Sequence, residues 1–79
     1  MKQKNFSLIE LKKVFKKELK INVNKKNKIN DFVRWDSLGN FNVLLACEKK
    51  FKFKFTNKEF NTLNTFKEIL NIVNKRKNS

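Results

Sequence analysis

Apolar residues recur at helical spacing in four stretches of the chain, and the polar residues between them mark where each stretch opens. Leu8, Leu11, Phe15 and Leu19, with Val14 beside them, share one face, while Lys12, Lys13, Lys16, Lys17 and Lys20 fill the other. Ser7 and Glu10 precede this run at the spacing of a capping box, in which the hydroxyl takes the N–H three residues on and the carboxylate reaches back. The pattern predicts a first helix over about 7–20. Residues 21–36 then lose the period. Asn22, Asn24, Asn27 and Asn30 favour turns, Lys25, Lys26 and Lys28 make the middle basic, and Ile21, Val23, Ile29, Phe32 and Val33 read as scattered anchors of a long loop.

A second helix follows over about 37–51. Leu38, Phe41, Leu44, Leu45 and Phe51 form one broad apolar arc, widened by Val43, Ala46 and Cys47, as in a helix buried against several partners. Gly39 sits in its first turn, either simply tolerated there or leaving room for a molecule that approaches Ser37. Phe51-Lys52-Phe53-Lys54-Phe55 alternates like a strand, but the chain holds no evident pairing partner for one. It reads as an extended connector with its rings inward; the rival is a base-stacking platform. Thr56 with Glu59, and Thr65 with Glu68, are two further capping boxes. They open a short third helix over about 57–62, carrying Phe60 and followed by Leu63, and a fourth over about 65–75 carrying Phe66, Ile69, Leu70 and Val73. Lys75, Arg76 and Lys77 stand at its negative dipole end, and the last residues fray. The sum is an all-α, single-domain four-helix bundle over 1–79, with a short third helix and a long first loop.

Composition narrows the chemistry. The 79 residues, 39% of them hydrophobic, suffice for one small core. A single Cys allows no internal disulfide, and without His or a Cys cluster no metal site is expected. No apolar run approaches the roughly 20 residues of a spanning helix. The opening Met1-Lys2-Gln3-Lys4-Asn5 leads into an amphipathic segment rather than a secretory one, so the expected location is cytoplasmic. Ser37 has no His to act as its base, and neither paired carboxylates nor a Gly-rich phosphate loop is present. The chain is therefore read as a non-enzyme with no catalytic residues. Its net charge of +13 has two readings: A/T-rich codons for Lys, Asn, Ile and Phe, or an electrostatic footprint for nucleic acid or an anionic membrane. Cys47, inside the second helix, reads as a small hydrophobe, and Trp35 as a packing residue.

What stands out is Arg34-Trp35-Asp36-Ser37-Leu38-Gly39, which holds the only Trp and the only Gly. A serine opening an apolar helix lies where backbone N–H groups lack intrahelical partners and the dipole favours an anion. A phosphate ester on its hydroxyl would be stabilised there.

From Trp35 to about Val73 the chain resembles the acyl carrier proteins, or phosphopantetheine-binding (thiolation) domains. The resemblance rests on Trp35-Asp36-Ser37-Leu38-Gly39, Leu44-Leu45-Ala46-Cys47-Glu48-Lys49-Lys50-Phe51, Phe53-Lys54-Phe55-Thr56, Asn57-Lys58-Glu59-Phe60 and Leu63-Asn64-Thr65-Phe66-Lys67-Glu68-Ile69. It implies an acyl-carrier-protein-like four-helix bundle. It also implies 4'-phosphopantetheine, carried covalently on Ser37 and placed there from coenzyme A by a phosphopantetheinyl transferase. The arm would bear an acyl or aminoacyl group as a thioester. Asp36 matches the acidic residue thought to help hold the transferase's metal ion, and Leu38 the apolar contact gripped by partner enzymes. The implied partners are that transferase, a loading ligase and downstream enzymes of a specialised biosynthetic pathway, with no specific nucleic acid, no membrane span and a monomeric carrier. The chain departs from the family in charge, since carriers are usually acidic, and Asn40 and Asn42 stand where acidic residues commonly aid docking. Its Phe-rich core points to a short cargo. Two alternatives stay open: a small basic nucleic-acid-binding module, and a carrier-like domain that is never modified and only binds a partner.

Overall fold

The helices are α1 (Gln3–Leu19), α2 (Ser37–Phe51), α3 (Asn57–Thr62) and α4 (Phe66–Arg76), in a computed structural model that describes the backbone of residues 3–77 and the side chains of residues 7–77. Among the described residues the architecture is all-α; an isolated antiparallel bridge between Lys28 and Thr65 is the one β-type pairing. The N-terminal Met1-Lys2 and the fraying expected of the last residues, 78–79, lie outside the described part.

The first helix begins four residues ahead of the predicted start, so Ser7 is not its N-cap. Ser7 is fully buried, and its Oγ accepts a 2.6 Å hydrogen bond from Lys77 Nζ, tying α1 to the end of α4. Glu10 likewise serves a tertiary link. It takes Lys50 of α2 at 2.8 Å and Lys13 at 3.6 Å, and the hydrogen bond from Lys50 holds its carboxyl below the ordinary value. Both residues lie in helix interior, where the side chain reaches other elements rather than its own first turn. Of the two later boxes, the one at Thr56 forms in full and the one at Thr65 only by its hydroxyl half. Thr56 and Glu59 exchange both bonds, while Thr65 Oγ1 accepts from Glu68 N and Glu68 turns to Asn64 N at 3.5 Å.

α1, α2 and α4 pack against one another; α3 is short and buries no residue fully. Leu11 and Phe15 of α1, Val43, Leu44 and Cys47 of α2, and Phe66, Ile69 and Val73 of α4 have no solvent exposure. Trp35 joins them from the loop, edge-on to Phe15 with ring centres 4.7 Å apart, and Phe15 also meets Phe66 at 5.5 Å. Burying a side chain of this size contributes about 2–3 kcal/mol each to a domain too small to lose many of them.

The loop is built by its own asparagines. Lys26 N donates to Asn24 Oδ1 and Asn24 N to Asn27 Oδ1, while the Asp31 carboxylate takes Lys28 N at 2.9 Å. Ile29 N donates to Asn64 O and Phe66 N to Asn27 O, so the loop is laced to the entry of α4. Ile21 and Val23 are buried anchors, as the pattern implied, and Ile29 and Phe32 pack partly on the core. Val33 is not an anchor: it stands 94% exposed, in the turn that Trp35 N closes on Phe32 O. Phe51 ends α2, Lys52 adopts the left-handed cap conformation (φ 62°), and residues 53–56 run on without helix or strand to the Thr56 cap. Phe55 is buried there, Phe53 half-buried, with the two rings 4.9 Å apart. Glu48 Oε2 accepts from Phe55 N and satisfies that stretch without a partner strand. Arg76 closes the far end by a two-bond pair with Glu59 (2.6 and 2.7 Å).

Candidate functional site

The site at the start of α2 is built from Asp36 outward. Asp36 is the N-cap in extended backbone (φ −100°, ψ −168°): its Oδ1 accepts from Gly39 N at 2.8 Å, and its carbonyl takes the first helical bond from Asn40 N. Ser37 is therefore the first helical residue and not the cap. It is exposed, as is Asp36, and Leu38 is 68% exposed. The structure thus brings Asp36, Ser37 and Leu38 together on one open tip. The Ser37 and Leu38 N–H groups precede the first i→i−4 bond, so they point out of the helix end where positive partial charge collects.

The residues between and behind that tip face the other way. Gly39 is buried. A β-carbon on it would collide with the backbone carbonyl of Arg34 and crowd Leu19 at 3.1 Å. Its missing side chain serves the seating of the loop on α1, not the access of another molecule to Ser37. Asn40 is also buried, 5% exposed, and is no docking residue. Its Oδ1 accepts from Trp35 Nε1 at 2.9 Å and its Nδ2 donates to Leu63 O at 2.8 Å. One amide thereby fixes the tryptophan that anchors the site loop and the chain that leaves α3. Helical period puts Asn40 on one stripe with Val43, Leu44, Cys47 and Phe51, but nothing local marks Trp35 and Leu63 as its partners.

The broad apolar arc expected for α2 separates into two stripes. Val43, Leu44, Cys47 and Phe51 go inward, whereas Leu38, Phe41 and Leu45 remain 68%, 45% and 39% exposed. Phe41 leans on Phe60 of α3, ring centres 5.2 Å apart, so this surface spans two helices. Cys47 is sealed in the core, and burial pushes its thiol up to about 12, which removes it as a nucleophile. Among the described residues no group of three or more His, Cys, Asp or Glu is placed to hold a metal ion, and no helix is long and apolar enough to cross a membrane. The lysines of the α1 outer face, Lys12, Lys13, Lys16 and Lys17, are all exposed, as is Lys20, which follows the helix in the left-handed conformation (φ 60°).

No protein-family model, curated protein or solved structure matches the chain.

Proposed function

We propose that the chain is a carrier protein whose Ser37 hydroxyl accepts 4'-phosphopantetheine from coenzyme A by the action of a phosphopantetheinyl transferase. The observation that carries this reading is the placement of Ser37: exposed, first in the central helix, immediately after an aspartate cap, with the apolar Leu38 open beside it. The residues fit the group. Ser37 offers its oxygen to solvent, and the helix-end N–H groups of Ser37 and Leu38 are oriented toward an anion at that position. When bound, the arm supplies a thiol that holds an acyl or aminoacyl group as a thioester. Asp36 keeps the helix end open by capping at Gly39, and its exposed position suits a carboxylate that helps the transferase hold its metal ion. Leu38 is the apolar handle for partner enzymes, namely a loading ligase and the downstream enzymes of a specialised pathway. Ring-filled packing around Phe15, Trp35 and Phe66 supports a short cargo carried outside the helices. In this reading the protein is itself non-catalytic, monomeric and cytoplasmic, with an acyl-carrier-like bundle.

Intact mass after incubation with coenzyme A and a broad-specificity transferase tests the reading. One arm should add to the wild type and none to Ser37→Ala. No addition overturns it in favour of an unmodified partner-binding domain, and addition that survives Ser37→Ala overturns Ser37 as the point of attachment.

The exposed lysine face of α1 favours a second reading, a small basic nucleic-acid-binding module. Its mark is affinity that falls steeply with salt and is lost on charge reversal at Lys12, Lys16 and Lys20.

A further inference from the structure

We propose that the trough between α1 and α2 binds an acidic amphipathic helix of a partner protein, whether or not Ser37 is modified. The trough has a volume of about 570 Å³; Val14 and Ala46 form its floor, and Lys13, Lys17, Lys49 and Lys50 its walls. It opens at Glu18, Ala46 and Lys49 into a second depression of about 220 Å³, which adds Asn42 and Leu45. Leu45 carries the apolar surface out of the trough and onto the exposed stripe of Phe41 and Leu38, four and seven residues back along α2. The result is a concave basic channel with an aliphatic floor and an apolar lip.

Charge selects the occupant. Lys13 and Lys50 are already matched by Glu10, while Lys17 and Lys49 have no carboxylate within ion-pair distance among the described residues. Glu18 is the one carboxylate lining the channel. A ligand with carboxylates flanking an apolar ridge satisfies both walls and floor, which is the arrangement of an amphipathic helix laid in a groove. A phosphate backbone would use the lysines but leave Val14, Ala46, Leu45 and Leu38 without a contact. Because the channel lies on the α1 side of α2, the proposal stands or falls apart from the modification of Ser37.

The test uses a fluorescently labelled synthetic peptide with leucines along one helical face and glutamates over the rest. A scrambled peptide of the same composition and a single-stranded oligonucleotide serve as comparisons. Fluorescence anisotropy with the 79-residue chain at physiological salt should give saturable binding of the amphipathic peptide, with the scramble about tenfold weaker or worse. Leu45→Ser, and separately the pair Lys17→Glu and Lys49→Glu, should each weaken binding about tenfold, since apolar and charged contacts both contribute. All these side chains are at the surface, and circular dichroism checks that each variant stays folded. The proposal is overturned if the peptide does not bind, if the scramble binds as well, or if Leu45→Ser has no effect. Tighter binding of the oligonucleotide than of the peptide also overturns it.

Discussion

Within six consecutive residues the loop end and first turn of α2 present two opposite faces. Trp35, Gly39 and Asn40 turn inward and hold the loop, α1 and the exit of α3 together. Asp36, Ser37 and Leu38 turn outward and, beyond the cap, contact little of the fold. A helix turn of 3.6 residues places both sets at almost the same point in the chain but on different surfaces. Residues that fold this protein and residues open to solvent are thus interleaved along the chain rather than segregated. Loss of function at this motif therefore has to be read beside a measurement of stability.

Trp35→Ala should break the inner face most severely. Losing a fully buried ring should cost about 3–5 kcal/mol, enough to unfold much of so small a domain, as urea titration followed by circular dichroism would show. Asn40→Ala comes next, at about 1–3 kcal/mol, because it strands the Trp35 indole N–H and the Leu63 carbonyl in the interior. The same titration checks it, and a neutral result would show that the amide network is not what seats the tryptophan. Asp36→Ala should cost about 1 kcal/mol through loss of the cap, whereas Asp36→Asn should keep nearly all stability and remove only the charge. That pair separates the capping role of Asp36 from any role in modification. Ser37→Ala belongs wholly to the outer face. It should change stability by no more than about 0.5 kcal/mol while abolishing attachment of the arm.

Acid offers a way to weaken the frame without substituting either face. Glu10 and Glu59 have carboxyls held below their ordinary values, chiefly by hydrogen bonds from Lys50 and Arg76, and Asp31 by the Lys28 backbone N–H. A depressed folded-state pKa means stability that is present above the unfolded value, near 4.5 for glutamate, and lost as pH falls through the lower folded value. Stability should therefore decline as pH drops below that range. The deficit of Glu59→Gln against wild type, clear at pH 7 by urea titration, should shrink toward pH 3.

Much of this was legible in the chain. The all-α class, the order of the four helices, the Thr56 and Thr65 caps and the inward rings of the Phe51–Phe55 connector follow from local chemistry: period, capping pairs and the lack of a partner strand. The start of α2 at Ser37 is where the apolar period placed it, and Asp36 supplies the cap. Ser7 and Glu10 misled because their spacing fits a capping box while their side chains were needed between elements, at Lys77 and Lys50.

The sequence alone determined that α2 would be a helix with more apolar surface than one face can bury. Which stripe went inside was a tertiary decision. By hydrophobicity Leu38, Phe41 and Leu45 outrank a stripe that begins with Asn40. The fold nonetheless buries the asparagine, because Trp35 brings it a donor and Leu63 an acceptor across 23 residues of chain. A polar group is admitted to a core only when its partners arrive with it, and no local pattern records where those partners will be.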